Sequence, residues 1–114
     1  MKLLNSMFTV VEVQDANHYR IALHPEHIIY QAHFPGHPIT PGVCIVKMLT
    51  ELKGVKLVEI KNLKFVTPLS PVEDPEVSVS FDKVQEDGDV VRLRGSIVDG
   101  DKVYTKFSLI GKHA

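Results

Sequence analysis

The chain has 114 residues, 44% of them hydrophobic. That suits one domain and is too short for two, so every motif in residues 1–114 must share a single core. Its 13 basic and 14 acidic residues leave a net charge of -1 and are spread along the chain, which excludes the massed basic tract of a nucleic-acid binder; one cysteine, Cys44, excludes an internal disulfide and a zinc-type cysteine set.

The opening stretch, MKLLNSMFTVVEVQDAN, is interrupted by Asn5, Ser6, Glu12 and Asp15. It is too polar to span a membrane and has no cleavage pattern of a secretory leader, so the expected location is the cytoplasm, away from any membrane. Residues 7–13 and 18–24 carry β-branched and aromatic residues in partial alternation around QDAN, and they predict a β-hairpin. A loop rich in Pro, Gly and His follows, HFPGHPITPGV from residue 33. Thr40 then reads as an N-cap and Pro41 as the first residue of a helix over 41–53, with Gly54 placed to end it. Ile45, Met48, Leu49 and Leu52 form a stripe at helical spacing, and Val43 and Val46 widen it; a helix so broadly apolar is expected to be buried on several sides. Cys44 fits that helix as a small core residue.

Beyond Gly54, KLVEIKNLKFV has the content of a strand, and TPLSPVEDP carries three prolines that break any regular element. Strict alternation then begins. Val77, Val79 and Phe81 oppose Ser78 and Ser80; Val91, Leu93 and Ile97 oppose Arg92, Arg94 and Ser96; Val103, Thr105, Phe107 and Leu109 make a last face. Asp-Gly pairs in EDGD and DGD mark tight hairpins between these strands. The expected architecture is α+β: two strands, one long buried helix and about four antiparallel strands, with the sheet wrapped around the helix so that each covers the other.

This arrangement, with the eleven residues HFPGHPITPGV, resembles the FabA/FabZ family of 3-hydroxyacyl-acyl carrier protein dehydratases, whose fold is the hotdog. HPEHIIYQAHFPG is similar to the family's lead-in and LKFVTPLSPVE to its strand and proline turn after the helix, so the resemblance covers nearly the whole chain. Short single-domain relatives attached to aryl-polyene and other pigment pathways look nearest. The implied reaction is dehydration of a 3-hydroxyacyl thioester to a 2-enoyl thioester in fatty acid or polyene biosynthesis. The implied partners are an acyl carrier protein or coenzyme A thioester and a second hotdog subunit, identical or dissimilar; no metal or other cofactor is implied.

Dehydration removes a proton beside the carbonyl and expels a hydroxyl that leaves only when protonated, so two proton-transfer groups and one carbonyl stabiliser are needed. His33 matches the family's catalytic base, and imidazole titrates near neutrality; read without the signature, it is a hydrogen-bonded loop residue. Gly42 matches the glycine whose amide bonds the thioester oxygen at a helix N-terminus, and its other reading is relief of crowding against a neighbouring strand. Phe34 and Val43 flank these two and are the other expected substrate contacts. His37 reads as an exposed loop residue.

The family's acid on the central helix falls on Lys47. An ammonium cannot accept a hydrogen bond and is the weaker acid, although burial beside an imidazole would favour its giving up a proton. Glu51, one turn on, is either a substitute carboxylate or a solvated ion-pair partner; an acid from a second subunit is the third option. The alternatives to an active dehydratase are a catalytically impaired subunit that binds acyl chains or supports an active relative, and an acyl thioesterase, against which the missing acid also counts.

Overall fold

A computed structural model describes residues 2–32 and 36–114. His33 and Phe34, and with them the first part of the signature loop, lie outside the described residues.

The opening hairpin forms as β1 (Phe8–Asp15) and β2 (His18–Leu23), and a short helix absent from the sequence reading, α1 (Ile28–Ala32), follows it. The main helix, α2, runs Gly42–Lys53, and β3 (Val55–Phe65), β4 (Glu76–Asp87), β5 (Val90–Asp99) and β6 (Lys102–His113) complete the chain. The strands form one six-stranded sheet in the order β1-β2-β4-β5-β6-β3, antiparallel at every pairing. Both expected tight turns are present, since Asp87 pairs with Val90 and Asp99 with Lys102 across two-residue loops that begin with Gly88 and Gly100.

The alternation reads correctly onto the sheet except at Val103, which is only half-buried beside a register shift in the β5–β6 pairing while its neighbour Tyr104 is buried. Val77, Val79, Phe81, Val91, Leu93, Ile97, Phe107 and Leu109 are buried and share a core with Ile45, Met48 and Leu49 of α2. Two expectations about the helix need correction. It has twelve residues, about three turns, and is not long; nor is it buried on several sides, because Val43 is 77% exposed. Its start also shifts: Pro41, extended at φ −63° and ψ 146°, is the N-cap and makes no side-chain cap. Thr40 is engaged elsewhere, through a 2.8 Å hydroxyl contact with Tyr30. Gly54 ends the helix as expected, in the left-handed conformation at φ 63°.

Charges spread along the sequence are brought together on the outer face of the sheet. Lys83 lies directly across from Arg94, Lys64 across from Lys106 and Lys56 across from Lys112, and among the described residues none of the six makes an ion pair. Like charges directly opposite on one face of a sheet destabilise it. Replacing Lys106 by Glu, to face Lys64, is expected to raise the melting temperature by about 2 °C at low ionic strength and by less in high salt; thermal denaturation at two salt concentrations checks this.

Candidate active site

The start of α2 is held from both sides. Tyr30, buried on α1, meets the Thr40 hydroxyl, and the Thr40 amide donates to the Leu69 carbonyl at 2.8 Å. Burial pushes the Tyr30 phenol up to about 12, so it stays protonated at any physiological pH. Pro38 and Pro41 stiffen the same segment. The other end is tied down by Lys53, whose ammonium donates to the Ala16 carbonyl and the Asn17 side chain, each at 3.0 Å, at the β1–β2 turn. Both helix ends therefore have defined positions relative to the sheet.

The Cys44 and Ile45 amides both donate to the Pro41 carbonyl, at 3.0 and 3.1 Å. Gly42 and Val43 come before them, so their N–H groups have no acceptor within the helix, and among the described residues they have no other backbone partner. They lie at the mouth of a groove of about 580 Å³ between α2 and β3. Gly42, Val43, Val46 and Lys47 line its helix side, and Leu57, Ile60, Leu63 and Phe65 are among its strand residues. Unpaired amides at the positive end of a helix, beside an apolar groove, can hold a carbonyl oxygen as negative charge develops on it. Gly42 also meets the other reading of it. A Cβ at this position would fall 2.7 Å from Cζ of Phe65, so the lack of a side chain keeps room for the aromatic ring as well as for a ligand.

Lys47 lines the groove with its side chain 47% exposed. Within this chain it is not buried, whereas the expected proton-donor role depends on burial. Glu51 does not substitute for the acid. Its side chain is only 8% exposed, and its carboxylate accepts the Leu3 amide at 3.0 and 2.9 Å and the Leu4 amide at 2.7 Å. The ion pair expected of it is present, with Lys47 Nζ 3.9 Å away, but Glu51 is not solvated as expected, and its closer partners are partly buried backbone amides of the N-terminal segment. Cys44 is buried, and burial raises its thiol pKa, which suits a core residue and not a nucleophile. His37 is exposed as expected.

Gly42, Val43 and Lys47 are thus brought together on one groove, while His33 and Phe34 lie outside the described residues. The sequence reading missed the strand wall of the groove. Its signal was present in Leu57, Ile60, Leu63 and Phe65, but two register shifts in the β3–β6 pairing, between Leu57 and Glu59 and between Ile60 and Asn62, break the simple alternation that would expose it. Among the described residues no group of three His, Cys, Asp or Glu side chains is placed to hold a metal ion, and no helix is long and apolar enough to cross a membrane.

The ApeI-like family, described as ApeI dehydratase, matches residues 10–105. The 3-hydroxyacyl-[acyl-carrier-protein] dehydratase FabZ of Rhizorhabdus wittichii is 35% identical over 89 residues, covering 65% of this chain and 55% of that protein. The FabZ of Fusobacterium nucleatum is 32% identical over 90 residues, covering 69% and 62%. The chain therefore spans little more than half the length of the curated relatives it matches. Among solved structures, a thioesterase from Haemophilus influenzae overlays with a TM-score of 0.63 at 11% identity, covering 92% of this chain and 76% of that one. The phenylacetic acid degradation protein PaaI from Thermus thermophilus overlays at 0.56 and 10% identity, covering 96% and 95%. At such identities the likeness concerns the fold alone, and that fold is the hotdog.

Two charged residues of α2, Lys47 and Glu51, predict different losses. Glu51→Ala removes the acceptor of partly buried amide hydrogen bonds and is expected to cost roughly 2 kcal/mol of stability. Lys47→Ala is expected to cost less than about 0.5 kcal/mol, as for an exposed charge. Urea denaturation of the two variants checks the contrast.

Proposed function

This chain belongs to the ApeI-like dehydratase family, and from that membership we propose that it eliminates water from a 3-hydroxyacyl thioester to form a 2-enoyl thioester. The acyl group is carried by an acyl carrier protein or coenzyme A, in the synthesis of fatty acids or polyenes. The observation that carries this reading is the pair of unpaired amides at Gly42 and Val43 beside the apolar groove.

In the proposed reaction His33 accepts the C2 proton, the Gly42 amide holds the thioester oxygen as it gains charge, and the C3 hydroxyl leaves as water on receiving a proton. Phe34 and Val43 contact the substrate. Lys47 stands where the family's acid is expected, but its exposure does not favour it as proton donor, and Glu51 is committed to the N-terminal amides. We assign the proton donor to a second hotdog subunit. β3 supports that assignment: it is an edge strand of eleven residues whose Leu57, Val58 and Ile60 are exposed, and such an edge is a ready template for pairing with a strand of another chain. A second copy of this chain would bring the same Lys47 and the same committed Glu51, so the subunit that supplies the acid is a dissimilar one. The same observations favour, as the second reading, a subunit that is inactive alone and works within a mixed assembly. Hydrolysis of the thioester has less support, since no carboxylate lines the α2–β3 groove among the described residues.

Turnover of a short 3-hydroxyacyl thioester by the purified assembly tests the reading, with 2-enoyl product expected and release of thiol alone counting against it. His33→Ala is expected to lower turnover by about 100-fold or more with the fold intact; unchanged turnover rules out His33 as the base. If the chain alone is silent, Lys47→Glu is expected to create or raise activity. If the native chain is fully active and this change abolishes activity, the lysine is itself the proton donor.

A further inference from the structure

Two apolar spaces meet at Gly42. One is the groove between α2 and β3; the other, about 300 Å³, lies among residues 39–41 and 67–69 with Ile45 in its wall. Phe65 is common to both linings and stands at their junction. Its ring tip packs against the Gly42 backbone, which is why a Cβ there would fall 2.7 Å from Cζ. The backbone beyond the ring is held in place, because the Val66 and Thr67 amides both donate to the Tyr104 carbonyl, at 2.8 and 3.2 Å. Phe65 as a whole is 51% exposed. A half-exposed aromatic side chain on a fixed backbone moves by changing rotamer, without unfolding anything around it.

An acyl thioester extends in two directions from its carbonyl, with the carrier arm on one side and the acyl tail on the other. If the Gly42 amide holds the carbonyl oxygen, the two parts need separate paths leading away from Gly42, and the two spaces that Phe65 divides are such paths. The wider groove is mostly apolar as well, but of the two it alone carries charged side chains, Lys47 and Lys56, which can meet the polar groups of the carrier arm. The smaller space, bordered by Ile39, Ile45 and Leu69, suits the hydrocarbon tail. We propose that Phe65 is the gate between these paths and sets the length of acyl tail that the site accepts. This rests on the dehydratase reading only for its ligand class, an acyl thioester whose carbonyl binds at Gly42. Phe65 acts by position and takes no part in proton transfer. With the ring against Gly42, short tails are accommodated; longer ones require it to swing aside.

The test compares kcat/KM for 3-hydroxybutanoyl and 3-hydroxydecanoyl pantetheine thioesters in the native protein, Phe65→Ala and Phe65→Trp, using the assembly that turns over. Phe65→Ala is expected to shift the ratio toward the long substrate by about tenfold or more, and Phe65→Trp to shift it the other way. Unmoved ratios in a catalytically active protein overturn the gate and leave the dehydratase reading standing. Calorimetric binding of the saturated butanoyl and decanoyl pantetheine thioesters separates the two ideas if no turnover is found. A preference that moves with Phe65 then supports the gate although the dehydratase reading has failed, and a preference that does not move, or no binding at all, overturns the gate. Melting curves confirm that the variants remain folded, and Phe65→Leu, intermediate in size, is expected to give an intermediate ratio.

Discussion

Burial of one face of α2 against the sheet is the constraint on which the rest of the molecule depends. Ile45, Met48 and Leu49 are within 3% of complete burial, and each such side chain contributes on the order of 2 kcal/mol of hydrophobic free energy. Once those positions face the core, the helical repeat leaves no choice about the flank that carries Gly42, Val43, Val46 and Lys47. That flank becomes one wall of the groove. β3, which starts immediately after Gly54, becomes the other, pairing with β6 at the sheet's edge.

The same geometry determines what the helix can offer chemically. α2 contains one carboxylate, Glu51, and it is turned toward Leu3 and Leu4, whose amides would otherwise be unpaired. Moving Glu51 into the groove would leave those partly buried donors unsatisfied, which costs more than the exposed interaction with Lys47 returns. The groove is left with amide donors and an exposed ammonium on its helix side. A site of this kind can stabilise negative charge on an oxygen far more readily than it can supply a carboxylic acid, and this asymmetry is why a second subunit enters the proposed mechanism.

The outer face of the sheet presents a contrast with the groove. Its three directly opposed pairs of like charge oppose the fold, yet the sheet forms because its inner face buries Val77, Val79, Phe81, Leu93, Ile97 and Phe107 almost completely. Apolar burial of that extent outweighs repulsions between solvated charges, each worth a fraction of a kcal/mol to about 1 kcal/mol. Sheet registry here follows the buried face, and the charges take the positions that registry leaves to them.

Much of this protein was legible from its sequence because the signals are local. Alternation in 77–81 and 91–97 marks which side chains face inward, Asp-Gly pairs mark the hairpins, and Gly54 marks the end of the helix. The signature HFPGHPITPGV identified the family. What escaped depends on neighbours far apart in the chain. Thr40 looks like a cap until Tyr30 takes its hydroxyl, Val43 looks like core until the groove leaves it bare, and Glu51 looks solvated until the N-terminal amides reach it. Phe65 gave no sign of its place beside Gly42, because only the pairing of β3 with β6 and the seating of α2 bring the two together. The sequence by itself determined the opening hairpin, the main helix, the inward faces of β4 and β5 and the family, since periodicity and turn chemistry act over a few residues. Only the tertiary structure decided which polar groups find partners and where a groove remains, since those outcomes depend on contacts between residues that the chain separates by tens of positions.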